Sequence, residues 1–182
     1  MKRFVSLLLA LLMLALPLAA CDKNSDGTSS GGDEPAKTID VQAEADAVIS
    51  KYSLSGGKRY TSESTVLGEY LDEDLIRSYY GDAAEMPDFG SVEAYAVYID
   101  ESKPTLPCEF GIFKMKDGAD TDTFVAFLKA RIDLKLENAK SYPTMDTSML
   151  KTAKFTVKGG YVWYCAVKDG NEDIDSTLEG KL

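Results

Sequence analysis

The 182 residues contain no histidine, and that absence excludes more chemistry than any residue present suggests. A neutral imidazole is the usual general base near pH 7, the partner of Ser and Cys nucleophiles and the commonest ligand of zinc and copper. An enzyme built from this chain would have to work with carboxylates, Lys, Tyr or a Ser-Lys pair. Positive charge is scarce too, 20 Lys and Arg standing against 30 Asp and Glu. Nucleic acid and anionic lipid both require clustered Lys and Arg, so neither is expected as an electrostatic partner. After residue 20 no stretch approaches the ~18 consecutive apolar residues of a transmembrane helix. Cysteine is limited to Cys21, Cys108 and Cys165.

What is present begins with an address. Lys2 and Arg3 precede an apolar run from Phe4 to Ala20 that closes on Leu18-Ala19-Ala20-Cys21. A short basic start, an apolar core and a small-residue cleavage site make a secretory signal. The L-A-A-C ending resembles the lipobox of bacterial lipoproteins, which implies cleavage before Cys21 and acylation of its thiol. Residues 1–20 are therefore expected as a signal peptide, and the mature chain as an extracytoplasmic protein whose membrane partner is reached through lipid on Cys21. Each buried CH₂ contributes about 0.8 kcal/mol, so the two or three chains of such a cysteine hold firmly where one would not. Losing Lys2 and Arg3 moves the formal charge from −10 to −12.

Residues 21–38 read as the flexible tether, because Gly, Ser, Asp and Lys without large apolar residues cannot bury enough surface to order themselves. Asp22, Asn24, Asp26, Gly27 and Asp33 fall at the spacing of a calcium loop. Ser29 stands where that loop needs an aliphatic residue, and no helix enters it, so neither metal nor cofactor is expected.

Residues 39–182 are long enough for one domain with a core of its own. Helical spacing of Val41, Ala45, Val48, Ile49 and Tyr52 is followed by a Gly56-Gly57 loop and a short helix over 72–80, ended by Gly81. Residues 91–100 are apolar on both alternating sets, as in a strand covered on both faces. A second strand spans 108–116, and a long helix runs over 121–141 to Tyr142-Pro143. Gly159-Gly160 suits a type I′ hairpin turn. That turn pairs Phe155 with Tyr164 and Val157 with Val162 on one side, and Lys158 with Tyr161, Thr156 with Trp163 and Lys154 with Cys165 on the other. A last short helix carries Ile174 and Leu178. The expected fold is α+β, in the order α-α-β-β-α-β-β-α, with one mainly antiparallel four-stranded sheet and the long helix on one face.

From about Val66 onward the chain resembles a family of lipoprotein domains of unknown function common in anaerobic Gram-positive gut bacteria. The resemblance rests on Tyr79-Tyr80-Gly81, the strand Glu109-Phe110-Gly111-Ile112-Phe113-Lys114, the long helix with Arg131, the Tyr142-Pro143 exit and the Gly160-Tyr161-Val162 hairpin. It implies a lipid-anchored extracytoplasmic protein and supplies no catalytic residues.

Candidate sites are weak one by one. Ser55/Lys58 and Ser148/Lys151 have the S-x-x-K spacing of a Ser-Lys nucleophile without its companion motifs. The acidic runs Asp72-Glu73-Asp74 and Glu172-Asp173-x-Asp175 read as helix-start or solvated charge before paired catalytic carboxylates. Arg131 and Glu109 could grip a carboxylate ligand, but a structural ion pair is the plainer reading. The best binding candidate is a face carrying Tyr161 and Trp163, rimmed by Lys154 and Lys158, provided that helices do not cover it. Cys108 and Cys165 are expected on different faces and unbridged. A noncatalytic binding or scaffold domain with an envelope peptide, glycan or protein partner is the leading expectation. A His-free enzyme acting on envelope polymers and an accessory solute-binding lipoprotein are the alternatives.

Overall fold

The computed structural model describes residues 37–80, 87–102 and 106–182. Cys21, the signal segment, most of the tether and Gly81 lie outside the described residues. In chain order the elements are α1 (Val41–Lys51), β1 (Lys58–Thr61), α2 (Glu73–Tyr80), β2 (Val92–Asp100), β3 (Cys108–Met115), α3 (Thr121–Ala139), α4 (Ser148–Lys151), β4 (Lys154–Lys158), β5 (Tyr161–Ala166) and α5 (Asn171–Lys181). The strands form one sheet in the order β1-β2-β3-β5-β4, every pair antiparallel.

The architecture is α+β as expected, but the sheet has five strands rather than four. The additional strand, β1, falls where a loop was expected. It is four residues long with Tyr60 as its one buried side chain, too short to display an alternating pattern. It lies at the sheet edge, Tyr60 opposite Val97.

Both faces of the sheet are covered, which is why β2 and β3 are apolar on both alternating sets. One face packs Tyr95, Val97, Phe113, Val162 and Tyr164 against Ile76 of α2, Phe124 and Leu128 of α3 and Leu150 of α4. The other packs Tyr98, Phe110, Trp163 and Cys165 against Val41, Ala45 and Val48 of α1 and Ile174 and Leu178 of α5. Aspartates start α1, α2 and α3: Asp40 accepts from Gln42 N and Ala43 N, and Asp120 accepts from Thr123 N, each satisfying donors that the first turn leaves unpaired. Asp72 does the same for α2, accepting from Leu75 N at 2.8 Å.

The β4–β5 hairpin has the expected register, Phe155 opposite Tyr164 and Thr156 opposite Trp163. Its turn residues Gly159 and Gly160 sit at φ +58° and +82°, the left-handed region that glycine enters without a Cβ penalty.

Candidate functional site

The aromatic platform is overturned. Tyr161 and Trp163 are 1% and 0% exposed, because α1 and α5, from opposite ends of the chain, close over that face. The Tyr161 hydroxyl donates to Ile39 O and accepts from Ile39 N, both at 3.1 Å. Trp163 Nε1 donates to Asp175 Oδ1 at 2.9 Å, an oxygen shared with Thr156 Oγ1 at 2.6 Å. The lysines form no rim around an open ring: Lys154 pairs with Glu172 at 2.5 Å and Lys158 donates to Glu179 O at 2.6 Å. The second acidic run therefore fastens α5 to the sheet and to α1, with Asp173 holding Lys51 and the Tyr52 hydroxyl.

Cys108 and Cys165 are not bridged, although for a different reason from the one expected. They share a face. Cys165 lies opposite Phe110, so Cys108 is two residues out of register with it. Such diagonal neighbours stand about 7–8 Å apart, beyond the reach of a disulfide. Burial and the nearby Asp175 carboxylate push the Cys165 thiol up to about 12, so it stays protonated at neutral pH.

Beneath α3 lies a buried charge cluster. Glu109 is fully buried on β3 and accepts from Arg131 Nε and Nη2, both at 2.7 Å, and from Lys135 Nζ. Arg131 Nη1 donates to Tyr79 O near the C-terminus of α2, and its guanidinium lies 5.1 Å from the Tyr79 ring centre and 5.5 Å from that of Tyr80. Burial alone would raise the Glu109 pKa, but the Arg131 and Lys135 charges outweigh it and hold the carboxyl below its ordinary value. The bidentate geometry satisfies most of the guanidinium donors. The pair acts as a structural clamp between β3, α3 and α2. Gly111 makes room beside it, since a Cβ there would lie 2.7 Å from the Tyr164 ring.

The S-x-x-K pairs do not assemble. The Ser148 hydroxyl engages Asp146, whose carboxyl that contact helps draw down to about 2. Lys58 Nζ lies 5.5 Å from the Tyr60 ring centre, whereas Ser55 belongs to the opposite side of the sheet, in a cleft.

That cleft, at one end of the sheet, was not legible in the sequence. It encloses about 290 Å³ between the α1 exit (Tyr52, Ser53, Ser55) and the strand ends at Asp100, Cys108 and Val167. Val167 and Asp169 also border a neighbouring hollow of about 390 Å³ lined by Ser148, Lys154, Asn171 and Glu172. Of the sequence candidates, Ser55, Ser148, Lys154 and Glu172 thus gather at this end of the molecule, while Tyr161, Trp163, Glu109 and Arg131 serve the core. Among the described residues the two non-glycine positions with positive φ, Ser53 at +50° and Asp169 at +57°, both line the cleft. No group of three or more Cys, Asp or Glu converges as a metal site among the described residues.

Residues 72–167 match the family described as a domain of unknown function, DUF4358. The chain belongs to this family. The DUF4358 span opens at Asp72, which caps α2, and ends one residue after β5, so it holds the Glu109–Arg131 clamp and the cleft floor at Asp100, Cys108 and Val167. It leaves α1, β1 and α5 outside. No curated protein and no solved structure matches the chain.

Proposed function

We propose that this protein is a membrane-anchored extracytoplasmic lipoprotein, carried by lipid on Cys21, whose folded domain binds or scaffolds an envelope peptide, glycan or protein and performs no catalysis. The supporting observation is how the ionisable interior is committed. Glu109, the one fully buried carboxylate among the described residues, is locked by Arg131 and Lys135, and Cys165 is held as a thiol. The sheet-end cleft presents Ser53, Ser55, Asp100 and Asp169 along its lining, where a ligand can reach polar groups. A formal charge of −12 without the signal segment argues against nucleic acid as the partner.

The test uses full-length protein in nonionic detergent micelles, immobilised and exposed to solubilised envelope peptides and glycan fragments. Fragments retained and eluted at unchanged mass are the expected result. Cleaved or transferred products would replace this reading with that of a His-free enzyme. A second reading, accessory solute binding, is favoured by the cleft volume, which is near the lower end of small-ligand sites, about 300–1,000 Å³. It would be recognised by retention of small solutes instead of polymers.

A further inference from the structure

At the floor of the cleft, Asp100 closes β2 and is 6% exposed. Its Oδ1 accepts from Ser102 N at 2.9 Å and from Ser102 Oγ at 2.5 Å, while no donor among the described residues reaches Oδ2. Asp100 lines the cleft, so this oxygen is left for a donor that enters from solvent. Room is kept beside it by Gly56, at φ +102°, where a Cβ would stand 3.7 Å from Oδ2 and 2.8 Å from Ser102 Oγ.

The remaining walls define what fits. Leu54, Leu106, Cys108 and Val167 are apolar. The α1 exit contributes the negative end of a helix dipole, which favours cations. Asp169 adds a second carboxylate to the lining, and the cleft's own cation, Lys168, is paired with Asp146 at 3.2 Å. The Asp100 charge is already felt at the neighbouring Tyr98 phenol, whose pKa is raised first by burial and then by this carboxylate.

We propose that the cleft is a binding site for a small organic cation, with an ammonium or guanidinium head on Asp100 Oδ2 and a short hydrocarbon stem against Leu54, Leu106 and Val167. The ligand class is an alkylamine, an alkylguanidine or the terminus of a lysine- or arginine-like side chain. This assignment rests on the binding reading above and specifies its ligand. A charge-assisted hydrogen bond in a half-enclosed site, beside apolar walls that exclude water from the stem, gives selectivity for such a head over a neutral hydroxyl of similar shape.

The experiment is calorimetric titration of full-length protein in nonionic detergent with cadaverine and with agmatine, using 1-pentanol as the neutral control. The expected result is saturable one-to-one binding of both cations, none of the alcohol, and binding that persists from about 0.15 M to about 1 M salt, where diffuse surface attraction is screened. Asp100→Asn keeps the oxygen that caps Ser102 and replaces the unpaired one with an amide, so affinity should fall about tenfold or more while the melting temperature is retained. Ser55→Phe fills the cleft from its rim without touching Asp100 and should abolish binding as well. Asp133→Asn, on the exposed side of α3, should change nothing.

Failure of both amines to bind saturably, or equal affinity in Asp100→Asn and the parent, would overturn the assignment. Comparable weakening by Asp133→Asn would do so too, because it would expose the attraction as nonspecific. If envelope fragments were retained while the amines were not, the cation site would fall and the binding reading would stand. Turnover of those fragments would instead remove the binding reading itself.

Discussion

The Glu109 carboxylate illustrates how one residue can carry a large share of both stability and its pH dependence. It is buried without solvent, yet two cations keep it charged, so its pKa in the folded state is depressed. A carboxyl depressed on folding adds stability that is fully present above its unfolded value, about 4.3, and is lost as pH falls through the folded value. Glu109→Gln should therefore destabilise the domain by about 3–5 kcal/mol at neutral pH, since Arg131 and Lys135 would be left without their buried counter-charge. Urea melts from roughly pH 7 down to pH 2 check this: the variant should start lower and lose less on acidification than the parent. Unchanged acid sensitivity would assign the pH dependence to the exposed aspartates instead. The sequence did carry this pairing as a possibility, because Arg131 adjoins the apolar stripe of a helix and Glu109 opens an apolar strand. It could not decide between clamp and ligand grip, a matter of whether the guanidinium donors are already taken. For Asp100 there was less to read, since one acidic residue at a strand end looks like any other until the loop that folds over it is known.

At the level of elements, local chemistry was legible where it was self-contained. The hairpin is the clearest case: two glycines with positive φ fix the β4–β5 register within a few residues. Gly160 has nothing within 4 Å of the position a Cβ would take, so Gly160→Ala tests backbone conformation alone. It should cost about 1–2 kcal/mol through the left-handed backbone penalty, read as a lower urea midpoint at unchanged slope. A neutral result would mean that the turn relaxes to another type. Where an element depends on distant chain, the sequence was mute. The register placed Tyr161 and Trp163 on one side of the sheet, but the side's cover comes from α1 and α5, and the bond from Tyr161 to Ile39 spans 122 residues. β1 failed to register for a related reason, because its identity lies in pairing with β2 and not in any pattern of its own.

For the whole molecule, segments on either side of the matched span wall the cleft, Tyr52 to Ser55 after α1 and Lys168 and Asp169 before α5. The helices α1 and α5 meet through Lys181 and Glu44 and through Lys51 and Asp173, each pair at 2.5 Å. Both helices lie outside the DUF4358 span, and so do Tyr52, Ser53 and Ser55, which border the cleft, whereas its floor lies within. The floor thus lies inside the matched span and much of the wall outside it, so on the proposed reading substitutions at Tyr52, Ser53 or Ser55 would alter the cleft without touching the matched part of the fold. The same division bears on anchoring. Among the described residues no helix is long and apolar enough to cross a membrane, and with a formal charge of −10 over the full sequence the chain gains nothing from anionic headgroups. On the proposed reading, attachment therefore depends on Cys21 alone. Cys21→Ser should abolish incorporation of radiolabelled palmitate and move the protein out of the detergent-soluble membrane fraction. Its melting temperature should stay at the parent value, because none of the core packing described above involves Cys21. Palmitate label persisting in the variant would place the lipid elsewhere. A variant that lost the label yet remained with the membrane would show that a protein partner, and not an acyl chain, holds the domain at the surface.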